Sequence, residues 1–362
     1  MSTSQRKIEH LKFCANRPVE SKKATSGFDD VILVHRALPE MSIDDIDLST
    51  DFLGKRLNAP FMIASITGGH PDTIAINSAL AEAVEETGIG IGVGSQRAAI
   101  EDPEQEYSFS VVREKAPNAF VYGNIGAAQI KEYGIQGIEK MVEMIDADAF
   151  AIHLNFLQEA IQPEGDIDAS GVLDAISEIC SLNIPIIVKE TGSGISHEDA
   201  LLLKKAGVSS IDVGGVGGTS WAGVEVYRAD DRKETSAKNM GELFWDFGIP
   251  TASSIVECNV SLPVIATGGI RTGLDVAKSI SLGASVASSA LPFVEPAFNG
   301  PEEVTRKLTS IIDELKVAMF LAGCRDIEQL KRSPMVITGW TEQYLKQRGF
   351  DLSDFALRAN IV

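Results

Sequence analysis

Eight short apolar runs separated by helical patterns limit the folds open to this chain more than any other feature. They are FMIASI (61–66), IGIGV (89–93), FVYGN (120–124), AFAIH (149–153), PIIVK (185–189), SSIDV (209–213), PVIAT (263–267) and SVASSA (285–290). Several are nearly continuous apolar stretches rather than period-two alternations, as parallel strands buried on both faces require. Between them lie helix-like stretches such as DTIAINSALAEAVEETG, GIQGIEKMVEMID, ASGVLDAISEICSLN, HEDALLLKKAG and GLDVAKSISLG, several of which end in Gly or Asn as a helix C-terminus prefers. Eight successive β-then-α units predict an α/β fold, a (β/α)8 TIM barrel; a doubly wound open sheet is the alternative reading of the same alternation. The expected division is an N-terminal arm and connecting segment over 1–60, then the barrel with C-terminal helices over 61–362. The connection from 214 to 262 is a long insertion after strand six, of the kind that serves as a lid or active-site element.

A barrel collects its chemistry where the strands end at their carboxyl face, so the residues at each exit matter most. Strand one leads into TGG (67–69), strand two into GSQR (94–97), strand three to Asn124, strand four into HLNFLQE (153–159), and strand five to Lys189 and KETGSG. The last three lead into GGVGGTSWAGVE (214–225), TGGIRTG (267–273) and SSAL (288–291).

This polar rim stands in an acidic protein. Lys and Arg number 32 against 51 Asp and Glu, a formal charge of -19, which excludes the basic field a nucleic-acid or anionic-membrane surface needs. An anionic ligand must therefore be captured locally. The acidity suits a high-salt cytosol and equally an ordinary acidic enzyme. Cys14, Cys180, Cys258 and Cys324 are isolated, without CxxC or metal-ligand spacing, the pattern of free thiols in a reducing cytoplasm. No apolar run approaches the ~18 residues of a membrane span, and the N-terminus lacks an apolar signal region, so a cytoplasmic protein is expected.

Each motif has a bland reading beside its functional one. TGGIRTG and SSAL follow strands seven and eight, where barrels form phosphate sites; the glycines alone would also make a tight turn. Lys189 ends an apolar strand and either snorkels to the surface or points into the mouth, where it would face a flavin's pyrimidine edge or form a Schiff base. Ser95 and Asn124 read as hydrogen-bonding groups for ring edges or as strand caps. GGVGGTSWAGVE is either a flexible loop or backbone packed against a ligand under one aromatic wall, Trp221. In HLNFLQE, His153 and Asn155 offer donors to an anion, Glu159 an oxygen ligand for a hard cation, and Gln158 an amide too weak to be a base.

Taken in order, these motifs resemble the type 2 isopentenyl diphosphate isomerases, FMN-dependent barrels. The match runs through RK (6–7), TGG, GSQR, NIGA (124–127), HLNFLQE, VKE (188–190), GGTSWAGVE (217–225) and GGIRTG (268–273). HLNxxQE is its diagnostic piece, whereas GGIRTG is shared with other FMN barrels. The family often carries Met before TGG, where this chain has Ile66, a difference that touches packing. The resemblance implies that Arg6, Lys7, Arg97, His153 and Asn155, with Thr191, hold a substrate diphosphate. Glu159 would help place Mg2+, and Gln158 and Trp221 would lie beside the hydrocarbon. FMN falls to Thr67, Ser95, Asn124, Lys189, Thr219, Gly269, Arg271, Ala290 and Leu291, with Ser65, Ile66 and Gly268 beside them.

The implied reaction interconverts isopentenyl and dimethylallyl diphosphate by adding and removing a proton, with reduced FMN as the acid-base agent at N5 and NADPH or another reductant to prime it. A homo-oligomer, a homotetramer or octamer, is implied as well. The arm (1–26), polar and with little core of its own, is expected to be a lid closing over the diphosphate. A 2-hydroxy-acid oxidase would need a His after a late strand, but His10, His35, His70, His153 and His197 all precede strand six. A nucleotide dehydrogenase would need a loop cysteine after that strand, which GGVGGTSWAGVE lacks. A non-catalytic flavin store would have no use for Arg6, Lys7 and Glu159.

Overall fold

The computed structural model of the chain describes residues 3–358, with side chains from residue 7 onward. Its centre is a closed barrel of eight parallel strands, each beside its sequence neighbour. They are β1 (Phe61–Ile63), β2 (Gly90–Gly92), β3 (Phe120–Gly126), β4 (Ala149–Leu154), β5 (Ile186–Glu190), β6 (Ser210–Asp212), β7 (Val264–Thr267) and β8 (Val286–Ser289). Each falls on one of the apolar runs of the sequence, with β3, β4 and β5 reaching one or two residues past theirs, and the open-sheet alternative is excluded by the pairing of Ala287, Ser288 and Ser289 with Phe61, Met62 and Ile63.

Side chains alternate across the wall as strand geometry dictates. Met62, Phe120, Tyr122, Ala149, Ala151, Ile187, Ile265 and Val286 fill the interior, while Ile63, Val121, Phe150, Ile152, Val188, Ile211 and Val264 pack outward in the main core. Both faces are thus apolar, which is why the strands read as continuous runs. The glycines of IGIGV make room: a Cβ on Gly92 would lie 2.1 Å from the Tyr122 ring. At the amino end, a hairpin of Thr50–Phe52 and Lys55–Leu57 plugs the barrel with Phe52 and Leu57.

The long connection after β6 is not a structureless loop. It contains helices Trp221–Asp231, Thr235–Leu243 and Thr251–Glu257, so Trp221 opens a helix rather than standing in a glycine-rich loop. The N-terminal arm also gains structure. Helix α1 (Thr3–Asn16) is followed by a strap stitched to the β6 exit through Ser220 N to Val19 O (2.8 Å), Ser21 N to Gly218 O (2.9 Å) and Ala252 N to Ser26 O (2.8 Å). Leu11, Val19 and Phe28 are buried, so the arm contributes more to the core than its polar composition suggested. Strand Val31–Leu33 then pairs antiparallel with Met335–Ile337, tying the segment to the C-terminal region. Among the described residues no helix is long and apolar enough to cross a membrane.

The base of the barrel is pinned by Asp148, which accepts from Lys55 Nζ (3.1 Å), Arg113 (2.8 Å) and the backbone N–H of Val121 (2.8 Å). Burial alone would raise its carboxyl, but the Val121 N–H and the two cations outweigh burial and hold it below the usual range. Its stabilisation is therefore complete above about pH 4 and fades as the pH falls through the lower folded value. Asp148→Asn should cost about 1 to 3 kcal/mol at neutral pH. In thermal unfolding, the gap between this variant and the wild type should close in acid; a gap that persists at the lowest pH the fold tolerates would contradict the assignment.

Candidate active site

The strand exits converge on one cavity at the carboxyl end of the barrel. It is lined by Lys7, Ser65, Ile66, Thr67, Ser95, Arg97, Asn124, His153, Asn155, Gln158, Glu159, Lys189, Thr191, Thr219, Trp221, Gly268, Gly269, Arg271, Ala290 and Leu291. Every site residue expected from the sequence is thus in one place except Arg6, whose side chain lies outside the described residues.

One side of the cavity offers unmet polar groups. The hydroxyls of Ser65, Thr67 and Thr267 are buried without a hydrogen-bond partner, and Lys189, 7% exposed, spends one donor on the Glu190 carbonyl at 3.0 Å. Donors and acceptors buried in this way call for a ligand with complementary edges. The glycines of the β6 and β7 exits are explained by loop-on-loop packing. Gly268 and Gly269 have φ of 112° and 73°, and a Cβ there would lie 2.1 Å from Gly215 O and 2.6 Å from Gly217 O. The glycines of GGVGG therefore face neighbouring backbone, and what they give a ligand is the closeness of two loops. Arg271 departs from the expectation of a free phosphate ligand: its Nε donates to Glu20 Oε1 at 3.1 Å, from the strap.

The other side is cationic and amide-rich. Helix α1 brings Lys7 to the Ser95 carbonyl, with its Nζ 4.9 Å from the Phe109 ring centre. Arg97 opens a short helix and pairs with Glu101 at 2.6 Å. His153 places Nδ1 2.9 Å from Asn124 Oδ1. Burial first, then the charges of Lys189 and Lys7, push the imidazole down to about 3. It is neutral at neutral pH, and with Asn124 accepting from Nδ1–H, Nε2 carries a lone pair rather than the donor expected from the sequence.

Helix α2 (Phe156–Ile161) begins at the β4 exit and arranges the remaining residues of HLNFLQE. Asn155 Nδ2 donates to Glu159 Oε1 at 2.8 Å, and the backbone N–H of Asp166 to Glu159 Oε2 at 2.9 Å. Among the described residues no three His, Cys, Asp or Glu side chains cluster as a metal cage. A single fixed carboxylate still fits Mg2+, which takes its other ligands from phosphate and water.

Gln158 is pinned by a residue that sequence reasoning did not assign. Its Nε2 donates to Glu225 Oε1 at 2.8 Å, and Glu225 also meets His10 Nε2 (3.1 Å) and Arg228 (3.1 Å). Burial opposes ionisation of Glu225, yet its contacts with His10, Gln158 and Arg228 hold its carboxyl down at about 2. His10 stands edge-on to Trp221, 5.3 Å between centroids. A histidine thus reaches the mouth from before the first strand, so the order of histidines along the chain does not by itself dispose of oxidase chemistry. Glu190, also missed, lines the cavity with its carboxyl raised by burial to about 7 against the N–H groups of Ser193 and Gly192. Its position after the strand-five lysine in VKE was the available signal.

Comparison with known proteins shows the kinship of the chain. The family model for FMN-dependent dehydrogenases matches residues 2–108 and 139–337. The isopentenyl-diphosphate delta-isomerase of Methanococcoides burtonii is 69% identical over 362 residues, all of both chains. That of Archaeoglobus fulgidus is 56% identical over 96% of this chain and all of its own, and that of Halobacterium salinarum 52% over 96% and 97%. Among solved structures, a mandelate oxidase has a TM-score of 0.61 at 17% identity, covering 93% of this chain and all of its own. A lactate oxidase of Pediococcus acidilactici has a TM-score of 0.65 at 16% identity, covering 92% and 95%. At such identities these two establish the fold alone, whereas the full-length relatives decide kinship: the chain belongs to the FMN-dependent dehydrogenase family and, within it, to the isopentenyl-diphosphate delta-isomerases.

Proposed function

We propose that this protein interconverts isopentenyl diphosphate and dimethylallyl diphosphate with FMN in its reduced form and Mg2+ on the diphosphate. The observation that carries the reading is a single cavity with two poles. One is a flavin cradle of Ser65, Thr67, Asn124, Lys189 and the Gly268–Gly269 turn; the other is an anion pole of Lys7, Arg97, Asn155 and His153 with Glu159 beside it. When bound, reduced FMN supplies at its N5 the acid and base of the double-bond shift, and NADPH or another reductant supplies its electrons once.

The chain's residues do the rest. Lys7 and Arg97, with Arg6, hold the diphosphate by charge-assisted hydrogen bonds, and Thr191 stands within the same cavity. The arriving anion draws a proton onto Nε2 of His153, turning a lone pair into a donor. Glu159, fixed by Asn155 and the Asp166 N–H, presents its charge to Mg2+. Gln158, locked by Glu225, orients the hydrocarbon and leaves proton transfer to a stronger acid and base. Trp221 walls the apolar part from water and offers its ring face to developing positive charge. We extend the proposal to a cytoplasmic homo-oligomer, tetramer or octamer, for which Leu243 and Phe247 on the insertion offer exposed apolar surface.

The deciding experiment is an anaerobic assay with prereduced FMN. Isopentenyl diphosphate should be converted over many turnovers with no further reductant consumed, and the oxidised protein should be inactive. Turnover by oxidised protein in air would sink the acid-base role of the flavin. Glu159→Gln should raise the Mg2+ concentration needed for activity while flavin absorbance stays bound; an unchanged Mg2+ titration would show that the metal sits elsewhere. Lys7→Ala removes a charge-assisted bond of roughly 1.5 to 3 kcal/mol and should raise KM about tenfold or more. FMN affinity should hardly move. Loss of FMN with KM unchanged would make α1 part of the flavin site instead.

A further inference from the structure

Asp212 on β6 is wholly buried, at 0% exposure, between the outward-facing Ile211 and Val213, so strand alternation turns it into the barrel. Its register partner on β5 is Lys189 and on β7 Ile265. One oxygen, Oδ1, accepts from Gly214 N at 3.3 Å; the other, Oδ2, is buried without a partner. The hydroxyls of Tyr122, Thr267 and Ser288, from the facing and neighbouring strands, are likewise buried and unpartnered. Burial pushes the Asp212 carboxyl up, while the charge of Lys189 and the Gly214 N–H pull it down. An acid held in this way costs stability. What it has beside it is Lys189, a cation of the flavin cradle whose charge His153 and Glu190 also feel.

We propose that Asp212 is the buried counter-charge of Lys189 and, through it, a positioning residue for the flavin: it sets how strongly the ammonium favours negative charge on the bound ring. The inference rests on reading the cavity as the FMN site. Lys189 alone would favour the anionic reduced ring. An aspartate on the adjacent strand partly cancels that field and holds the ammonium toward the strand ends, so that oxidised and reduced FMN are kept nearer balance. Neutralising Asp212 without changing its shape should release the full effect of Lys189.

The test is an anaerobic potentiometric titration of bound FMN in the wild type, Asp212→Asn, Lys189→Met and the double variant. In Asp212→Asn the ratio of reduced to oxidised FMN at a fixed potential should rise up to tenfold, about 30 mV for a two-electron couple. Lys189→Met should move it the other way, and on that background Asp212→Asn should have less than half its effect. Bound FMN with an unchanged ratio in Asp212→Asn overturns the proposal, and so does an equal shift with and without Lys189. Should Asp212→Asn not fold, infrared difference spectra of the wild type labelled with 13C-aspartate decide: flavin reduction should perturb a buried aspartate band, and its absence overturns the proposal. Wild-type protein that takes up no FMN would overturn the cavity reading itself, whereas FMN uptake with an indifferent Asp212 overturns this inference alone.

Discussion

Everything at the mouth depends on the closure of the sheet, where β8 pairs with β1. Closure makes the eight carboxyl ends face one space, so that residues more than a hundred positions apart become neighbours. It also leaves no edge and gives each strand two apolar faces. The interior has to be filled, which explains both the small residues of β2 and β4 and the large Tyr122 set against Gly92. The charged and amide side chains are displaced to the top, where the apolar filling ends.

The second constraint is electrostatic. A chain with a formal charge of -19 presents Lys7, Arg97 and Lys189 around one opening. Their mutual influence is visible in His153, neutralised by burial and by two lysines. It is balanced by carboxylates that are each held by other contacts: Glu159 by amides, Glu225 by His10 and Arg228, Glu190 by backbone N–H groups. A cationic cluster of this kind is a local inversion of the protein's overall field, and its partly buried charges are less screened than surface charges.

The N-terminal helix and strap are the least autonomous parts of the molecule. Tyr227 and Trp245 on the insertion meet the strap through Pro18 O and Glu20 O, and Glu20 in turn holds Arg271. A disturbance of the strap therefore reaches the β6 and β7 exits together, through side-chain hydrogen bonds to its carbonyls and to Glu20.

The periodicity of the sequence determined the eight strands and the barrel, because burial on both faces writes a local and repetitive pattern that survives without knowledge of contacts. The motifs at the strand ends were equally legible, since a barrel assigns each exit to one mouth; this is why Thr67, Asn124, His153, Glu159 and Lys189 come together as expected. What only the tertiary structure decided were the pairings between remote elements. The His10–Glu225–Gln158 chain joins α1, the insertion and α2, and the Arg271–Glu20 pair joins the β7 exit to the strap. The lone pair on His153 depends on Asn124 of the neighbouring strand. The structured insertion and the Asp212–Lys189 register belong to the same class. Hydrogen bonds and charge coupling depend on distances of a few ångströms between residues far apart in the chain, and no periodicity or local spacing encodes them.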